Sequence, residues 1–290
     1  MIEIDTAWRA ANPIPLPSGD TSKDGRGRLL IAGGSRGVPG ALLLTGEAAL
    51  RVGAGKVKLA TVAEAALGLG LAFPEVAVVP LPGDPAGEIA GEAVDTLTAL
   101  LDRVDVLVLG PGMADKDAAA RLIRGIAGAD APDCAMLLDA AAVAGAGSLA
   151  DALSGWGGRI VMTPHQGEMA ALLDCDKDAV AADPTGVARD VARRFGAVVV
   201  LKDAETVIAA PDGTVLHYAG GGIGLGTGGS GDVLAGAIGG LLARGLPPLV
   251  AAGWGVWLHG EAGRALTGAV GPVGFLAREL LPRLPALLPR

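Results

Sequence analysis

The segment from Gly220 to Asp232 places eight glycines within thirteen residues and closes on one carboxylate. An apolar pattern follows at once: Val233, Leu234, Ala237, Ile238, Leu241 and Leu242 mark one face of a 3.6-residue helix. Arg244, Gly245 and Pro247 then give a cationic last turn, a left-handed cap and a stop. Glycines before a helix let backbone N–H groups approach a ligand closely. The partial positive charge of the helix start suits an anion such as phosphate. A carboxylate at such a site reads as a proton acceptor or a metal-linked group, and that is Asp232. The competing reading is a flexible loop with Ser230 or Asp232 as helix cap.

The remaining chemistry-bearing residues close apolar runs. Gly33, Gly34 and Ser35 follow Arg28–Ala32; Gly110, Pro111 and Gly112 follow Val104–Leu109; and Asp139 ends Ala135–Asp139. Thr163, Pro164, His165 and Glu168 follow Arg159–Met162, and Lys202 and Asp203 follow Val198–Leu201. These runs read as strands, with further ones at Lys56–Ala60 and Val76–Pro80. Helical patterns at Ala41–Val52, Asp117–Gly128 and Thr185–Phe195 lie between them. Strand–helix alternation predicts a single doubly wound α/β domain over residues 1–290, with a mainly parallel central sheet and helices on both faces. Ligands collect at the carboxyl ends of the strands in such sheets, so five polar strand ends predict one active cleft. Thr206–Tyr218, centred on Asp212 and Gly213, predicts a type I′ hairpin added antiparallel at the sheet edge. Residues 1–27 read as a surface-wrapping lead-in.

Composition narrows the function class. The net charge of −8, from 23 basic and 31 acidic side chains, argues against a nucleic-acid partner. The four tryptophans show no stacking pattern for single strands. No apolar run has membrane-span length, and acids stand near Met1 where a signal peptide has bases, so a cytoplasmic protein is expected. Cys134 and Cys175 have no metal-ligand spacing and read as packing residues of a reduced chain. Gly224, Gly226 and Gly229 satisfy G-x-G-x-x-G, but they follow a hairpin and lack the acidic strand end downstream, which argues against a dinucleotide oxidoreductase. No Walker sequence occurs. His165 could donate to a phosphate or carboxamide, or only to local backbone. Glu168 could be catalytic or a first-turn acid. Lys202 is a candidate phosphate contact, because an unpaired lysine is costly to bury. His217 and His259 read as structural.

In order, these motifs resemble a known family. Gly33–Ser35 with Pro39–Ala41, Ala49–Gly55, Gly110–Gly112, Thr163–Glu168, Leu201–Lys202, Thr227–Leu234 and Leu258–Gly260 are similar to the ADP-dependent NAD(P)H-hydrate dehydratases, of the ribokinase-like superfamily. The resemblance runs from about Lys23 to about Leu266. It implies that ADP phosphorylates the ring hydroxyl of the S hydrate, after which phosphate leaves and NADH or NADPH is restored with AMP. It also implies that Ala41, Gly112, His165 and Asp232 contact the hydrate, with Asp232 as base. Lys202, Ala204, Thr206 and the loop Gly228, Gly229, Ser230 and Gly231 would hold the nucleotide. Mg2+ on the phosphates, a separate epimerase and a homo-oligomer are further implications; no metal ligand is assigned.

The chain departs from the family pattern at four places. Ala141 stands where a second Asp is usual, Asp203 where glycine is usual, Leu225 and Gly226 replace a Met and Ala, and an upstream asparagine is absent. Two other readings share the same base and anion hole: an ATP-dependent kinase of vitamin-precursor alcohols, and a catalytically impaired nucleotide-binding paralogue.

Overall fold

The computed structural model describes residues 1–16, 21–128 and 133–289. Ten strands form one sheet: β1 Ile2–Glu3, β2 Arg28–Ala32, β3 Lys56–Val62, β4 Ala77–Leu81, β5 Val106–Leu109, β6 Ala135–Leu138, β7 Ile160–Met162, β8 Ala197–Leu201, β9 Thr206–Ala209 and β10 Val215–Tyr218. Their spatial order is β1-β10-β9-β8-β7-β6-β5-β2-β3-β4. From β8 to β4 every pairing is parallel. The chain winds outward from β2 through β3 to β4, then returns to β5 on the other side and winds toward β8. The reversal opens between β2 and β5, where a doubly wound sheet binds its ligands.

Strand composition explains why the sheet is covered twice. Successive residues of a strand face opposite sides. Leu29, Ile31, Val106, Val108, Val198 and Val200 enter one core, while Leu30, Ala32, Leu107, Leu109, Val199 and Leu201 enter the other. Helices Ala41–Arg51, Ser230–Ala243 and Pro248–Ala269 cover the first face. Helices Ala93–Leu101, Lys116–Ala127, Gln166–Leu173 and Pro184–Phe195 cover the second. Uninterrupted apolar strands are the signature of that double burial. Among the described residues no helix is long and apolar enough to cross a membrane.

Most elements lie within two residues of their predicted bounds, and the turn chemistry brings one correction. The hairpin between β9 and β10 is not type I′, which requires positive φ at both central residues. Pro211 holds φ negative, and of the turn residues only Gly213 has positive φ, at 91°. Gly213 N–H donates to Ala210 O at 3.0 Å, giving a type I-like turn that ends in a glycine bulge. The hairpin does extend the sheet beyond β8. Its outer side is then capped by β1, which pairs with β10 in parallel.

The lead-in is therefore structural. Its helix Thr6–Ala11 sets Trp8 against Trp254, with ring centroids 6.5 Å apart, and Arg9 3.9 Å above the Trp257 ring. Trp254 donates its indole N–H to Asn12 O at 2.6 Å.

Helix Ser230–Ala243 ends as its sequence predicts, with Gly245 at φ 86° beyond Arg244. It also lies unusually close to helix Ala41–Arg51. A Cβ on Gly236 would stand 2.1 Å from Thr45 O, and one on Gly240 2.7 Å from Ala49 O. Gly236→Ala is therefore expected to lower unfolding free energy by about 1–3 kcal/mol through overpacking. Gly268→Ala, at an exposed helical position with open space around it, should leave stability unchanged or raise it by about 0.5–1 kcal/mol. Urea denaturation of both variants checks the pair.

Candidate active site

The carboxyl ends of β2 and β5 meet through their backbones. Gly34 N–H donates to Pro111 O at 2.7 Å, and a Cβ on Gly33 would lie 2.3 Å from the same oxygen. Gly112 adopts φ 72°, and a Cβ there would come within 2.8 Å of the Ala41 Cβ. Ala41 and Gly112 thus share one wall at the switch point. The neighbouring strand end is equally tight, since a Cβ on Gly110 would lie 2.0 Å from Asp139 O. Immediately after Asp139, Ala140 has φ 49° and ψ −126°, a conformation that is costly for a residue with a side chain.

Asp139 leads into the charged centre. It is 3% exposed, accepts from the Thr163 hydroxyl at 2.6 Å, and lies 3.2 Å from Lys202 Nζ. Lys202 also stands 3.9 Å from Glu168, and a Cβ on Gly231 would be 3.5 Å from its Nζ. One ammonium therefore serves carboxylates from three different elements. Burial acts to lower the Lys202 pKa, but the charges of Asp139, Glu168 and Asp232 outweigh it and the net shift is upward. Asp232 also shifts upward, which for a carboxylate favours the uncharged form. Burial first, then the charges of Asp139 and Glu168, push it up to about 7 against the pull of Lys202.

The helix behind Asp232 is open at its start. Gly229 is the cap residue at φ 89°, and no side chain caps it. Ser230 N–H donates to Thr227 O at 3.2 Å, whereas the N–H groups of Gly231 and Asp232 find no acceptor among the described residues. Two orphan donors beside a carboxylate are suited to phosphate oxygens. This geometry excludes both Ser230 and Asp232 as the side-chain cap.

The other candidates fall into place around this centre. His165 is the cap of helix Gln166–Leu173: its Nδ1 accepts Glu168 N–H at 3.0 Å, and Glu168 accepts His165 N–H at 2.8 Å. Glu168 thus combines the first-turn role with a place beside Lys202. The His165 ring remains exposed, with Nε2 3.5 Å from Glu168. Lys202 N–H donates to Pro164 O at 2.8 Å, which ties the two loops together. Asp203 is exposed and accepts from the Gln166 amide. Ala204 lies in the exposed turn that follows, and Thr206 opens β9. Gly228 is exposed beside the open helix start. A cleft of 680 Å³ flanked by Lys116, Arg124 and Arg194 contains none of these residues.

Asp139 and Thr163 join the charged centre through contacts with no signature in the sequence. The available signal was a carboxylate closing an apolar run, but nothing in the spacing ties residue 139 to residue 202.

A family profile described as NAD(P)H-hydrate dehydratase matches residues 29–286. The chain belongs to the NAD(P)H-hydrate dehydratase family. It is 47% identical over 288 residues to the ADP-dependent (S)-NAD(P)H-hydrate dehydratase of Xanthomonas campestris, covering 99% of this chain and 96% of that one. It is 38% identical over 285 residues to a bifunctional NAD(P)H-hydrate repair enzyme of Moorella thermoacetica, covering 98% of this chain and 53% of that one. The ADP/ATP-dependent NAD(P)H-hydrate dehydratase of Bacillus subtilis, crystallised with ATP and Mg2+, superposes with a TM-score of 0.81 at 26% identity, over 98% of this chain and 96% of that one. The ribokinase-like fold expected for this dehydratase family is thus present.

The elevated Asp232 has a consequence for stability. Its folded-state pKa lies above the unfolded value of about 4, so its stabilising contribution is complete below about 4 and is lost as pH rises through about 7. Asp232→Asn keeps the uncharged form. In ligand-free protein it should raise the melting temperature more at pH 8 than at pH 5, and an equal change at both would contradict the assignment.

Proposed function

We propose that this chain is an ADP-dependent (S)-NAD(P)H-hydrate dehydratase that repairs hydrated nicotinamide cofactors. One observation carries the mechanism: a carboxylate with its pKa raised to about 7 sits in the first turn of a helix whose Gly231 and Asp232 N–H groups find no acceptor among the described residues, beside the half-buried Lys202. A base of that strength is poised at neutral pH.

Hydroxide is a poor leaving group from the hydrated ring, and phosphate is a good one. Asp232 takes the proton of the ring hydroxyl as its oxygen bonds to the β-phosphorus of ADP, and the bond to AMP breaks. The free N–H groups of Gly231 and Asp232 hold phosphoryl oxygens as charge shifts onto them. Lys202 offsets the nucleotide's charge from the strand end. The ring nitrogen lone pair then expels phosphate, and loss of a proton from the adjacent ring carbon restores the double bond. Gly112 and Ala41 form the wall against which the hydrate lies, and the exposed His165 ring reaches its polar groups. Ala204 and Thr206 border the nucleotide from the turn after β8, and Gly228, Gly229 and the Ser230 backbone complete its loop. The reaction uses the S form, so an epimerase working on the R form is the functional partner we expect.

Magnesium fits this site as an ion brought by the nucleotide. Among the described residues no three His, Cys, Asp or Glu side chains are grouped to hold a metal. Phosphate oxygens and water would complete its shell, with Asp139 or Glu168 the carboxylates at hand, and it would neutralise charge on the phosphoryl group. Ala141 leaves one carboxylate fewer beside Asp139 than the family pattern supplies.

Purified protein incubated with NADPH hydrate and either ADP or ATP should regenerate the absorbance of NADPH. Asp232→Asn should cut kcat by about 10²–10⁴-fold, the range of a lost general base. A stable phosphorylated product without NADPH recovery would indicate a kinase instead. His165→Ala is expected to raise KM for the hydrate more than for the nucleotide; equal losses would contradict its placement.

A further inference from the structure

Ser230 lies in the middle of the glycine loop's last turn, yet its hydroxyl faces the protein interior. Its Oγ stands 2.8 Å from Nε2 of His259. Ser230 is 4% exposed and His259 9%. The two come from different helices, Ser230–Ala243 and Pro248–Ala269, which pack side by side on one face of the sheet. Burial first, and the Lys202 charge second, push the imidazole down to about 4. His259 is therefore uncharged at neutral pH and offers one nitrogen to the hydroxyl without adding a cation beside Lys202.

We infer that His259 is a positioning residue for phosphoryl transfer: by holding the Ser230 hydroxyl in the core it fixes the first turn that carries the free N–H groups and Asp232. This rests on the reading of that turn as the phosphoryl-transfer centre. The physical reason is the state of the helix start. No side chain caps it, and Gly228, Gly229 and Gly231 surround it with flexible backbone. Its position is therefore held from behind, by the Ser230 side chain, and from the loop side by the Thr227 carbonyl. A buried hydroxyl that loses its partner bears its full desolvation penalty, and rotation of the turn toward the crevice relieves that cost. Displacement of reacting groups by about 1 Å is enough to lower a rate about 100-fold.

The pair also separates two roles within the loop. The Gly231 and Asp232 N–H groups have no acceptor among the described residues, while the Ser230 hydroxyl is held in the interior by His259. Ser230 then serves the nucleotide through its main chain, and its side chain acts only on the position of the turn.

Steady-state hydrate repair by His259→Leu, His259→Gln, Ser230→Ala and the Ser230→Ala/His259→Leu double variant tests this, each corrected for folded fraction by circular dichroism. The leucine variant should lose about 10- to 100-fold in kcat, with KM for ADP changed less than about 3-fold. Glutamine, whose amide nitrogen can occupy the place of Nε2, should restore most of that rate. The double variant should lose no more than the larger single loss, as expected of partners that act as a unit. Unchanged kcat in folded Ser230→Ala, or double-variant losses that multiply, would overturn the inference even if His259→Leu fails to fold. A wild-type chain unable to restore NADPH would remove the parent reading and this inference with it. An active wild type with unaffected variants would remove this inference alone.

Discussion

One half-buried ammonium organises the centre of this molecule. Lys202 follows β8 and meets Asp139 at the end of β6, Glu168 in the first turn of helix Gln166–Leu173 and the charge of Asp232 in the glycine-loop helix. Uncompensated charges in such a place are expensive. The strand ends must therefore hold their side chains in register, or both ammonium and carboxylates lose their partners. Burial first, and the same excess of negative charge second, raise the Asp232 pKa to about 7. Structural integrity and the proton affinity of the base consequently depend on the same set of contacts.

Close backbone approach is the second constraint, and it operates at two levels. At the switch point Gly33 and Gly110 let neighbouring strand ends press against Pro111 and Asp139. On the adjacent face Gly236 and Gly240 let helix Ser230–Ala243 settle onto helix Ala41–Arg51. The first set shapes the crevice wall, and the second sets how far the helix start reaches into it. A chain with only 3% aromatic residues and 47 glycines uses proximity of backbones where others use large side chains. The aromatic exception is the tryptophan cluster that fastens the lead-in beneath the long helix Pro248–Ala269.

Particular residues show how far the fold and site were legible. Apolar runs such as Val104–Leu109 and Val198–Leu201 announced the buried parallel strands observed at Val106–Leu109 and Ala197–Leu201, because double burial requires continuous hydrophobicity. The glycine run before an apolar helix announced an anion site for a local reason, since loop and helix adjoin in the chain. Asp212 and Gly213 alone predict a type I′ hairpin, and the Pro211 ring, which fixes φ at the preceding turn position, excludes it. Asp139 was visible only as a strand end. Its role follows from Lys202, 63 residues away. His259 read as structural on its small-residue helix, and its contact with Ser230 across 29 residues has no signature in spacing.

The sequence by itself determined the alternation of strands and helices, the strand ends that carry polar groups, and Asp232 as the base candidate beside an anion-binding loop. These are properties of short windows, where periodicity and local backbone preference act directly. Tertiary structure alone decided which carboxylates share Lys202, which way the Ser230 hydroxyl turns, and how His165 and Glu168 divide their hydrogen bonds between helix cap and active centre. It also decided the proton affinity of Asp232, because desolvation and charge depend on distances between residues that the chain holds far apart. The glycine run is where the proposed phosphate chemistry belongs; burial and neighbouring carboxylates at the packed strand ends raise the pKa of its one carboxylate to about 7.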